Sequence, residues 1–189
     1  PRTAVRGGFL YGERTAGNFM TDTFPRGTGG SIGFHRENKK VGRTFMEIRM
    51  GTEQDRNRLL KAYPYTSQVI GEIGDQSYLV VAAEPTDPQE ILGFAFVFRR
   101  EIPAPVEKTE DFIGAIEVFA PANRKKGIGS AIVGQCIRLA KSSGSYQVRA
   151  YCDIHNLPSH RLWLKCRFGI SPVKMPDGTI PGSFVTYIL

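Results

Sequence analysis

Residues 112–144, "FIGAIEVFAPANRKKGIGSAIVGQCIRLAKSSG", leave this chain few options. The apolar run "FIGAIEVFA" reads as a buried strand, and Pro121 stops it because proline has no N–H to continue a ladder. Arg124, Lys125 and Lys126 follow beside Gly127 and Gly129, and an apolar helix begins at once, over about Gly129–Ser143. A helix start leaves backbone N–H groups unpaired and carries positive dipole character. A glycine turn lets a phosphate approach those donors. No Gly-Lys-Ser/Thr closes the turn, so it is not a nucleotide P-loop. Ile132 stands where a dinucleotide fingerprint has its third glycine. The turn therefore suits a phosphate of another kind, or else is a helix start with solvated charges.

The flanking sequence alternates strands and helices. "TFMEIRMGT" reads as a strand, with Thr52 set to cap the helix "EQDRNRLLKAY". "YPYTSQVIGEIGDQ" suggests a short helix and a turn. "SYLVVAAE" and "ILGFAFVFRR" suggest an antiparallel hairpin, and "EIPAPVEKTED" reads as a polar loop. After the central helix come the strand "YQVRAYCD", the helix "PSHRLWLKC" with Pro158 in its first turn, and the final strand "GSFVTYIL". The order predicts one α/β domain over residues 45–189, a sheet with helices on its faces. Phe94, Phe96, Phe98, Tyr151 and Trp163 are expected in its core.

Residues 1–44 differ. They hold eight Lys/Arg and three acids, so +5 of the chain's net charge of +7 lies there. They are glycine-rich, as in "RGTGGSIGFHRENKK", and show neither helical nor strand periodicity. They are expected to form a basic N-terminal arm, either inert or binding an acidic partner such as nucleic acid or another subunit. No stretch approaches the roughly 20 apolar residues of a membrane span, so no membrane partner is expected. The opening residues lack the apolar core of a signal peptide, and Pro1 fits loss of an initiator methionine. Cys136, Cys152 and Cys166 suggest no disulfide framework, and the expected setting is reducing and cytoplasmic. Cys152, His155, His160 and Cys166 span a strand, a loop and a helix, so no metal site is expected, nor a Cys/His nucleophile.

The strand, the turn with Arg124, Gly127 and Gly129, and a later Asn156 before "LPSHRLWLKCRFG" together resemble the GNAT superfamily of N-acetyltransferases. The resemblance covers about residues 45–189. It implies a mixed, mostly antiparallel sheet flanked by helices, and acetyl-CoA as cosubstrate. It implies that the pyrophosphate of CoA rests on backbone N–H groups around Arg124, Lys125, Lys126, Gly127, Ile128, Gly129 and Ser130. The pantetheine arm would pair with the strand at Glu117, Val118 and Phe119, with Asn156 on its other side. A backbone N–H near Val118 would polarise the thioester carbonyl.

Glu117 is the one carboxylate in "FIGAIEVFA", on the same face as Phe119 and opposite Val118. It is the candidate general base for the acceptor amine, or alternatively a structural ion pair with Arg149. The resemblance places Trp163 where the family often has a tyrosine that protonates the leaving thiolate, and Arg167 where it usually has glycine. Indole is no useful acid at neutral pH. Three functions follow: an N-acetyltransferase acting on a primary amine; a catalytically inactive domain of this fold that assembles, in a virion-type particle for example, through its basic arm; and a nucleic-acid-binding module led by that arm. The acceptor is unreadable from the sequence, although "YPYTSQVIGEIGDQ" and "EIPAPVEKTED" are the expected substrate loops.

Overall fold

The computed structural model describes residues 46–189, so the basic arm lies outside the described residues. Seven strands form one sheet in the order β1-β2-β3-β4-β5-β7-β6. They are β1 (Glu47–Met50), β2 (Ser77–Ala83), β3 (Ile91–Ile102), β4 (Lys108–Val118), β5 (Gln147–Asp153), β6 (Gly169–Val173) and β7 (Gly182–Ile188). All neighbours are antiparallel except β4 and β5, which run parallel. The helices are α1 (Glu53–Ala62), α2 (Ile128–Ser142) and α3 (Leu157–Lys165), with 3₁₀ helices at Pro64–Gln68 and Pro121–Asn123. The sheet is thus mixed, mostly antiparallel and flanked by helices, as the resemblance implied.

Strand alternation sends side chains to opposite faces. Val80, Ala95, Val97 and Val148 pack under α2, on Ile132, Val133 and Cys136. Leu79, Val81, Phe94 and Phe96 pack on the other face with Leu59 of α1 and with Phe119. Helix α1 opens with a capping box in which Thr52 and Asp55 each bond the other's backbone N–H. Asp55 also takes two hydrogen bonds from Arg49 of β1, at 2.6 and 3.0 Å. Burial alone would push its carboxyl up, but the Arg49 and Thr52 hydrogen bonds and the Arg49 charge hold it down at about 2.

Two expectations need correction. "EIPAPVEKTED" is not a loop throughout: β3 runs to Ile102 and β4 begins at Lys108, leaving a short turn. The charged residues at these strand ends pair across the ladder. Arg99 bonds Asp111 at 3.2 Å and Arg100 bonds Glu110 at 2.5 Å. Cross-strand ion pairs offset the polarity that hid the strand. Strand β6 escaped the sequence reading because it is a mostly exposed edge strand containing Pro172, a residue such edges tolerate.

The decisive feature is how β4 and β5 part. Their pairing covers only Glu110–Ile113 of β4 against Gln147–Ala150 of β5. This end is locked by buried polar groups. Asp111 accepts from Tyr78 Oη (2.7 Å) and Ser145 Oγ (2.6 Å), Glu110 accepts from Gln147, and the Tyr146 N–H bonds Thr109 O at 2.8 Å. Beyond Ile113, Gly114 is an extra residue in the ladder with β3, where Val97 faces Ile113 and Phe96 faces Ala115. Such a bulge bends its strand. From Ala115 to Val118, β4 remains paired with β3 but has no pairing with β5.

Candidate active site

The parted strands open onto a cleft of about 640 Å³, bounded by β4, the turn into α2 and one side of α3. The Phe119 N–H bonds Leu92 O at 2.9 Å. In an antiparallel ladder the backbone groups of alternate residues point to opposite edges. The amides of Ile116 and Val118 therefore point away from β3, into the gap that β5 has left.

The turn into α2 is shaped by its backbone. Lys125 (φ +63°) and Gly127 (φ +88°) both occupy the left-handed region. A Cβ built on Gly127 would meet nothing within 4 Å, so the space beside this turn is open. Thr52 and Asn156 supply side-chain caps to α1 and α3, whereas α2 has none. The first α2 bond to the turn runs from Ala131 N to Gly127 O, at 3.0 Å. The amides of Ile128, Gly129 and Ser130 thus have no partner within the helix and stand at the cleft. Arg124 and Lys125 line the cleft from the turn, and Arg161 and Lys165 line it from α3. Four cations and an uncapped helix start suit an anion with several phosphate oxygens.

Of the residues singled out by sequence, Glu117, Val118, Arg124, Lys125, Gly127, Ile128, Gly129, Ser130 and Asn156 all line this cleft. Phe119 and Lys126 do not. Phe119 is buried, its ring stacked on Tyr63 at 4.0 Å. Lys126 reaches back to Asn123 Oδ1 at 3.5 Å. Asn156 caps α3, its Oδ1 accepting from Ser159 N at 3.1 Å. The expected Glu117–Arg149 ion pair is not formed. Arg149 lies over the Phe184 ring, 3.9 Å from its centre, because β5 has already diverged from β4 at Glu117. Glu117, half-buried, instead accepts from Tyr65 Oη at 2.9 Å. Arg161 and Lys165 were missed; their four-residue spacing on α3, on the helix face that carries Leu162 and Ser159, was the available signal.

Trp163 is 1% exposed and packs on Phe168 at 5.0 Å, outside the cleft lining. The resemblance set it at the position of a tyrosine, but its ring belongs to the core. Burial pushes the thiols of Cys152 and Cys166 up from their ordinary value, which makes them poor nucleophiles. Among the described residues no group of three or more His, Cys, Asp or Glu could hold a metal ion, and no helix is long and apolar enough to cross a membrane.

Residues 44–168 match the model of the acetyltransferase (GNAT) family. The chain belongs to this family. GNAT membership brings acetyl-CoA as cosubstrate, and similar folds are seen with it. Arabidopsis thaliana NAA60 in complex with acetyl-CoA matches with a TM-score of 0.59 and 16% identity, over 77% of this chain and 99% of the other. The same protein with a bisubstrate analogue gives a TM-score of 0.60 at 16% identity, over 76% and 98%. A GCN5-related N-acetyltransferase from Kribbella flavida gives 0.57 at 18% identity, over 76% and 98%. No curated protein sequence matches the chain. In this GNAT domain the splayed end of β4, the glycine turn and α3 thus line one continuous cleft.

Proposed function

We propose that this GNAT domain is an N-acetyltransferase that moves the acetyl group of acetyl-CoA to a primary amine. One observation carries the reading: the unpaired edge of β4, the uncapped start of α2 and cations from two separate elements all face one cleft. The amides of Ile128, Gly129 and Ser130, with Arg124, Lys125, Arg161 and Lys165, would hold the phosphates. The outward amides of Ile116 and Val118 would pair with the pantetheine arm, and Asn156 would flank it. Acetyl-CoA supplies an activated acyl group with a thiolate leaving group. The Val118 N–H would stabilise negative charge on the thioester oxygen. Glu117 takes the proton of the attacking amine. Among the described residues no tyrosine lines the cleft, so in this reading solvent protonates the departing thiolate.

Acetyl-CoA binding by the purified chain, followed by release of CoA with a panel of primary amines, tests the reading. Binding with turnover supports it. Binding without turnover favours the inactive assembly domain, to which the buried Trp163 gives some weight. Absence of acetyl-CoA binding sinks both cofactor-based readings.

A further inference from the structure

The contact between Tyr65 and Glu117 joins residues 52 positions apart and is the one hydrogen bond held by the Glu117 carboxylate among the described residues. We propose that Tyr65 is a positioning residue for acceptor deprotonation: it holds Oε2 of Glu117 so that Oε1 faces the incoming amine. This rests on the acetyltransferase reading above. The segment carrying Tyr65 is fixed to the same strand as its target. Tyr63 stacks on Phe119 with ring planes 6° apart, and Phe119 lies two residues past Glu117, just beyond the end of β4. Pro64 opens the 3₁₀ helix, and Thr66, fully buried, turns its hydroxyl onto Tyr63 O at 2.7 Å. The Tyr65 ring meets Tyr63 edge-on at 6.2 Å. The phenol thus reaches Glu117 from an element held beside β4 by the neighbouring Tyr63–Phe119 stack.

The geometry explains why such a clamp is needed. With β5 departed and Arg149 engaged on Phe184, no cation among the described residues pairs with the Glu117 side chain. Without a partner, a glutamate on an exposed strand edge samples several rotamers, few of which face the cleft. A neutral phenol orients the carboxylate without neutralising its charge, as an arginine would. In the step it serves, the amine nitrogen bonds the acetyl carbon, the C–S bond breaks, its electron pair leaves on sulfur, and the amine proton passes to Glu117 Oε1.

The test compares wild type, Tyr65→Phe, Glu117→Gln and the double variant. Acetyl-CoA affinity is measured for each, with kcat and KM for an amine panel and release of CoA to water alone. Tyr65→Phe keeps the ring against Tyr63, so folding is not at stake. It is expected to lower kcat about 10- to 100-fold, the scale of a hydrogen bond to a charged group, with acetyl-CoA affinity unchanged. In the Glu117→Gln background the same change should have no further effect. Wild-type kcat in Tyr65→Phe, or an equal loss in both backgrounds, overturns the positioning role. A wild type that binds acetyl-CoA but releases CoA to neither amine nor water overturns it as well, leaving the cofactor site standing. A wild type that does not bind acetyl-CoA overturns the acetyltransferase reading itself.

Discussion

Glu117 and Trp163 show how far one residue's neighbours decide its role. Glu117 is a lone carboxylate in an apolar strand, and it lines the cleft on the stretch of β4 that β5 leaves unpaired. Glu117→Gln keeps the size and removes the proton acceptor. Its kcat should fall by about 10²–10⁴ with acetyl-CoA affinity unchanged, measured by steady-state kinetics and calorimetry. Unchanged kcat with reduced stability would make the residue structural. Trp163 is the converse case: the sequence pattern puts it at a chemical position, and packing against Phe168 takes it into the core. Trp163→Ala should cost about 3–5 kcal/mol of stability by cavity formation, read from denaturant unfolding. Trp163→Phe should fold and leave kcat within about twofold, because the lost indole N–H touches no reacting atom.

At the scale of elements, two helix starts carry opposite designs. Helix α1 satisfies its own donors with Thr52 and Asp55. The Asp55 carboxyl is lower in the folded state than in the unfolded chain, so its stabilisation is complete above about pH 4 and is lost as pH falls toward about 2. Asp55→Ala should remove about 2–3 kcal/mol at neutral pH, the scale of charged hydrogen bonds, and flatten the acid limb of a stability–pH curve. Helix α2 leaves its donors open, with Gly127 at the cap in the left-handed region. Valine or alanine there would strain the backbone as well as fill the space. Asparagine tolerates this conformation, so Gly127→Asn separates the two effects. It should fold normally and bind acetyl-CoA at least about tenfold more weakly, because its side chain enters the open space beside the turn. Undiminished affinity in that variant would contradict the phosphate assignment.

At the scale of the whole molecule, both core clusters of the described residues are built from Met46 onward. A chain lacking residues 1–44 should therefore fold and bind acetyl-CoA, since the described cleft residues all lie beyond that point. It should lose any association made by the arm, which carries +5 of the net charge. If the partner is a polyanion, full-length binding should weaken steeply with salt as condensed counterions are released. A protein surface would give a milder dependence. Light scattering of both chains at low and high salt distinguishes these outcomes, and an unfolded truncated chain would move the domain boundary toward the N-terminus.

Local chemistry determined much of this protein. Pro121, the two glycines and the cations define the turn into α2, and Thr52 and Asn156 mark helix starts, because caps, turns and glycine backbones depend on a few adjacent residues. Alternation put Glu117 on the face of Phe119, and it does lie there. The partner of Glu117 was another matter. Arg149 is on the next strand of the sheet and was a sound choice if β4 and β5 paired to their ends. Only the bulge at Gly114 and the resulting splay separate them, and a bulge depends on the register of two strands that no single strand specifies. Tyr65 becomes the partner through the stacking of Tyr63 on Phe119, a contact between residues far apart in the chain. In the same way the cations of α3 join those of the turn because both helices flank the gap that the splay opens.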